Sequence, residues 1–336
     1  MFNLKLNPMS KYLLRNLWVI LLIISCGPSS RNSASKDNKQ QPTEPTTVRI
    51  IDSTNLVQYD FLSDKKPGSL MELPKSQDGG FVLSPGYYEA EFNSYCLQPG
   101  TPDPSARDAY YQAPVRGYRK EIIESVLRNS QDKPELQQRN IQLLLWSVVS
   151  GSNFNKLASP VQSTAYQLLT PKQVFELKGG VMGVVKTVAS TIPTGNGGLN
   201  KLFDLGTDSY EAYERMAVLR QPSEISRPDY RRDQWNKQPE GYYVRHFAKG
   251  YQKVHIQVYV PDGIVDTTSG KYLVFDPVSM LAVPANSNAQ RLGIGAPVII
   301  DIVRKVIIIN KGSGGPAKRP DPAPKTGNPK NPKAGT

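Results

Sequence analysis

Residues 253–261 read Lys-Val-His-Ile-Gln-Val-Tyr-Val-Pro, and their alternation decides how the second half of the chain folds. Val254, Ile256, Val258 and Val260 fall on one side, while His255, Gln257 and Tyr259 fall on the other. Period-two patterning with β-branched residues on the apolar side is the mark of a half-buried strand. The neighbouring runs GYYVRHF at 241–247 and KYLVFD at 271–276 are also β-like, and the runs at 298–303 and 305–309 are β-rich, although their continuous apolar character suits a short helix as well.

Toward the N-terminus the period changes to that of a helix. Ile141, Leu144, Leu145 and Val148 form a stripe before Gly151, Trp146 widens it, and Pro134 predicts a helix opening at 132 or 133. Ile122, Ile123, Val126 and Leu127 predict a helix over 119–129. Thr170-Pro171 predicts another, capped by the threonine and running to Leu177 before Gly179-Gly180, and residues 208–219 a fourth. Strands are expected at 81–83 and 87–97, and 100–117 reads as a Pro/Gly-rich loop. The expected fold class is α+β: a mainly helical region over 48–222, then a β-rich region over 223–310.

Both ends have the composition of disordered chain. Residues 26–47 are rich in Ser, Asn, Lys, Gln and Pro without an apolar anchor, and 311–336 form a basic Pro/Gly tail. Before them, residues 1–25 carry Lys5, Lys11 and Arg15, no acid, and an apolar run from Leu17 to Ile24. That run is far short of the roughly 20 residues needed to span a bilayer, but it suits a secretory leader. Ile23-Ile24-Ser25-Cys26 resembles the lipobox of bacterial lipoproteins. The resemblance implies cleavage before Cys26, a diacylglyceryl thioether on its sulfur and a lipid anchor in the cell envelope. Two or three acyl chains, at about 0.8 kcal/mol per buried methylene, hold stably where one holds marginally.

Of the formal net charge of +12, the three leader cations leave +9 on the mature chain. The tail holds six cations against Asp321, so the body keeps only about +4. A modest body charge argues against nucleic acid as partner, since such a protein concentrates Lys and Arg on one folded face. With Cys26 lipidated, Cys96 is the only remaining thiol, which excludes an intramolecular disulfide.

No glycine-rich phosphate loop, H-E-x-x-H or G-x-S-x-G occurs. His246 and His255 are the only histidines and lack ligand-spaced partners, so no metal site and no cofactor are expected. Cys96 with His246 or His255 as base is the constellation a cysteine-dependent hydrolase would need, though Ser-Tyr-Cys-Leu-Gln-Pro-Gly matches no hydrolase flank. Tyr110, Tyr111, Tyr242, Tyr243, Tyr251 and Tyr259, with Asp103, Asp108 and Arg116, are candidates for a groove taking a protein or glycan ligand.

Tyr95-Cys96, together with Ile141-Gln142-Leu143-Leu144-Leu145-Trp146, resembles the thioester domain of bacterial surface adhesins. There a Tyr-Cys element and a Thr-Gln-x-Ala-Ile-Trp element supply thiol and glutamine. The resemblance implies an internal thioester between Cys96 and Gln142 that captures an amine. Ile141 and Leu144 depart from the pattern. The segment 95–177 is also similar to envelope proteins of Bacteroidota-like bacteria, a likeness that implies an envelope address and no particular chemistry. The expected role is a non-catalytic one in binding, adhesion or envelope structure, with the thioester adhesin and the cysteine hydrolase as alternatives.

Overall fold

In the computed structural model the alternation at 253–260 becomes a strand whose valine side is wholly buried, and that strand belongs to a barrel. Residues 56–117, 119–179, 196–220, 230–266, 272–298 and 306–307 are described. Cys26, the segments expected to be leader, tether and basic tail, and most of 298–309 lie outside them.

Six strands build the barrel: β1 Gly86–Cys96, β2 Tyr110–Pro114, β3 Tyr243–Ala248, β4 Lys253–Val260, β5 Met280–Pro284 and β6 Leu292–Pro297. Their order is β3-β4-β1-β6-β5-β2, and β2 returns to β3 through the pair His246↔Tyr110. Every one of these pairings is antiparallel. Closure removes the free edges that a flat sheet would expose. Register decides the interior: Ile256 lies opposite His246 on one side and Ala90 on the other, so Val244, Ala248, Val254, Val258 and Phe92 share that face. All are buried. Each such Val or Ile stabilises the fold by about 1.5–3 kcal/mol relative to exposure.

The helices occupy the connection between β2 and β3. They are α1 Lys120–Asn129, α2 Gln138–Ser150, α3 Ser159–Leu168, α4 Pro171–Leu177, α5 Asn196–Asp204 and α6 Tyr210–Ala217. In α2 every side chain from Ile141 to Ser150 is buried. Gly151 ends it at φ +71°, a left-handed conformation that glycine adopts without strain. Gln138 ties its first turn to the barrel, donating through Nε2 to the carbonyls of Ser94 (3.3 Å) and Gln252 (2.8 Å). Toward the other end of the barrel, Phe81–Leu83 pairs with Leu273–Phe275, and Phe81 packs against both Phe92 and Phe275.

The α+β class with a helical half followed by a β half is overturned by this arrangement. The first half contributes β1, whose neighbours β4 and β6 both come from the second half, and β2, which closes the barrel. Tyr110–Pro114 was expected to be loop because Pro and Gly crowd its flanks, yet its pairing with β5 over five residues outweighs them. The helix expected from 132 starts instead at Gln138, since Pro134 sits in a turn closed by Leu136 N–H donating to Lys133 O. Residues 208–219 split into α6 and a short strand, Val218–Leu219, which pairs with Thr101–Pro102. The Thr170 cap is present as a full capping box with Gln173.

Candidate functional site

Cys96 is the last residue of β1 and lies opposite Leu292 of β6. On its other side β4 has already ended: the last ladder pair there is Lys253↔Asn93, and Ser94 N–H donates to Gln252 O in the turn. The main chain of Cys96 would be orphaned inside the core without a partner, at a cost of about 1–3 kcal/mol per group. Gln142 of α2 fills the position. Its Oε1 accepts from Cys96 N–H at 2.9 Å and its Nε2 donates to Cys96 O at 2.9 Å, so one side-chain amide replaces a missing strand. Two residues 46 apart in sequence are thereby joined, and both are buried.

Burial pushes the Cys96 thiol up to about 12, although the Trp146 indole N–H and the Gln98 main-chain N–H beside the sulfur pull the other way. At neutral pH the thiol therefore stays protonated. Trp146 is fully buried, and its indole nitrogen meets no acceptor in hydrogen-bonding geometry. It follows Gln142 by one helical turn, so both side chains leave α2 on the same face.

Beyond the indole lies a polar cluster. Trp146 stacks on Tyr210 at 5.9 Å, and the Tyr210 and Tyr251 hydroxyls are 2.7 Å apart. Tyr251 donates to Glu214. Arg220 bridges Asp103 (2.7 Å) and Glu214 (3.1 Å), while Asp103 also accepts from Tyr251 N–H at 3.1 Å. Burial raises the Asp103 carboxyl above its usual range against the pull of Arg220, and burial takes Tyr210 up to about 12. The resemblance carried by Tyr95-Cys96 and by Gln142 with Trp146 pointed to one half of this site. Tyr210 and Glu214 carried no sequence signal, because they reach it only through the fold of α6.

Neither histidine is hydrogen-bonded to Cys96. His246 faces the barrel interior with both ring nitrogens lacking a hydrogen-bond partner, and burial lowers it to about 3. His255 is on the outer face, its Nε2 3.0 Å from Glu89 Oε2. Of the tyrosines expected to line a groove, Tyr110, Tyr111, Tyr242, Tyr243 and Tyr251 are buried, and Tyr259 is half-buried against Tyr59 and Tyr243. Asp108 is buried and Arg116 exposed. A separate apolar groove of about 310 Å³ lies between α3 and α4, lined by Tyr166, Leu169, Pro171, Val174, Phe175 and Lys178. Among the described residues no group of three or more His, Cys, Asp or Glu is placed to hold a metal ion, and no helix is long and apolar enough to cross a membrane. No family model matches the chain, and no curated protein or solved structure matches it either.

Proposed function

We propose that this chain is a lipid-anchored protein of the cell envelope with a binding or adhesion role and no catalytic turnover, and that it binds covalently through an internal thioester between Cys96 and Gln142. The observation that carries the covalent reading is the pairing of the Gln142 amide with the Cys96 main chain in a fully buried setting. Formation is balanced without an oxidant: the thiol adds to the amide carbon, the C–N bond breaks, and ammonia leaves with the thiol proton. An incoming amine then displaces the sulfur, giving a new amide and restoring the thiol. Proximity replaces the rarity of thiolate, and burial keeps water from the electrophile. The anchor rests on Cys26 after Ile24-Ser25.

The test is the intact mass of the body from residue 48 onward. A thioester makes it lighter by one ammonia. Methylamine adds to that species, and Cys96→Ala abolishes the deficit. A full mass with an unreactive thiol sinks the covalent reading and leaves Gln142 as a purely structural partner of β1. The groove between α3 and α4 would then be the place to seek a non-covalent ligand. The anchor is tested separately: Cys26→Ala should move the protein out of the membrane fraction, and a variant that stays there removes that part of the proposal.

A further inference from the structure

Two N–H groups at this site stand ready for an oxygen that carries charge only during reaction. Cys96 N–H already donates to Gln142 Oε1 at 2.9 Å. The Trp146 indole N–H is fully buried, meets no acceptor in hydrogen-bonding geometry although the Cys96 sulfur is beside it, and leaves α2 on the face that Gln142 also uses. A buried donor without an acceptor costs about 1–3 kcal/mol, and an oxygen that develops charge beside the indole would recover that cost. When the Cys96 sulfur adds to the Gln142 carbon, the carbonyl oxygen becomes an oxyanion. That oxygen stays within reach of Cys96 N–H, and it forms on the side of α2 that also carries the indole.

We propose that the Cys96 main-chain N–H and the Trp146 indole N–H form a two-donor oxyanion site serving both formation of the Cys96–Gln142 thioester and its opening by an amine. The assignment rests on the thioester reading above. The third contact completes the geometry: Gln142 Nε2, the atom lost as ammonia, is held by Cys96 O at 2.9 Å, which orients the amide plane toward its own main-chain partner. The collapse of the tetrahedral species breaks the C–N bond in formation and the C–S bond in opening. In both, the proton released by the attacking group ends on the group that leaves.

The experiment follows thioester content and the rate of methylamine addition by intact mass in wild type and in Trp146→Phe, which keeps an aromatic ring and removes the donor together with part of the indole's volume. Loss of one oxyanion donor slows such steps by about 100-fold or more. A fall of that size with an unchanged melting transition supports the assignment. Wild-type rates in Trp146→Phe overturn it while leaving the thioester standing. A wild-type chain of full mass overturns both. Should Trp146→Phe fail to fold, the indole proton of Trp146 is compared by NMR between the untreated chain and Gln142→Ala. A downfield resonance confined to the thioester form supports the bond, and coincident resonances overturn it.

Discussion

At the scale of single residues, two polar side chains inside the core carry opposite consequences. Gln142 is satisfied through both ends of its amide, so Gln142→Leu, which keeps the volume, should destabilise the body by about 3 kcal/mol by orphaning Cys96 N–H and C=O. Chemical denaturation checks this, and a loss below about 1 kcal/mol would show that water or another group takes over. His246 is the reverse case, buried and unpartnered. Its ring stays neutral in the fold to about pH 3, whereas the unfolded chain protonates it below 6.5. The unfolded state therefore binds more protons in that window, and stability falls as pH drops through it, by about 3 kcal/mol at pH 4. His246→Leu should flatten this slope and leave stability at pH 7 unchanged or improved; parallel pH profiles for the two proteins would assign the acid loss elsewhere.

At the scale of elements, the docking of α1 depends on what β6 lacks. A Cβ on Gly293 would lie 2.9 Å from Leu97 Cδ1 and 3.0 Å from Leu127 Cδ1, and one on Gly295 would lie 2.7 Å from the Tyr95 ring. The two glycines share the outer face of β6 and let the helical layer approach it. Gly293→Ala should cost about 1–3 kcal/mol through overpacking, read as a lowered denaturation midpoint with an unchanged slope. An unaffected midpoint would mean that Leu97 and Leu127 move aside freely. The elements themselves were legible where local chemistry is strong. Val254 to Val260 alternate as read, and Ile122, Ile123, Val126 and Leu127 are buried on α1. Strand β2 escaped because a five-residue strand flanked by Pro and Gly has no local pattern that outvotes its neighbours. Strand β6, reading Leu-Gly-Ile-Gly-Ala-Pro, escaped because glycine is a poor strand former and is kept there only for the packing it permits.

At the scale of the molecule, strands from both halves of the sequence share one barrel. β1 is flanked by β4 and β6, and β2 by β5 and β3, so neither half can complete its ladders alone. Fragments 48–222 and 223–310, expressed separately, should each lack a cooperative unfolding transition, and mixing them should restore one. Independent cooperative melting of either fragment would refute the interdependence. The same long-range pairing builds the candidate site, which takes Cys96 from β1, Gln142 and Trp146 from α2, Glu214 from α6 and Tyr251 from the turn between β3 and β4.

The residue patterns alone determined the type and face of the long periodic elements and the cap at Thr170. Those features are local: they depend on propensity, side-chain period and composition within a dozen residues. Only the tertiary structure decided that the sheet closes, that the helices are an insertion between two adjacent strands, and that Gln142 meets Cys96 through its main chain. Ladder partners far apart in sequence leave no local signature, and a backbone orphaned by a neighbouring strand's end is visible only once both strands are in place.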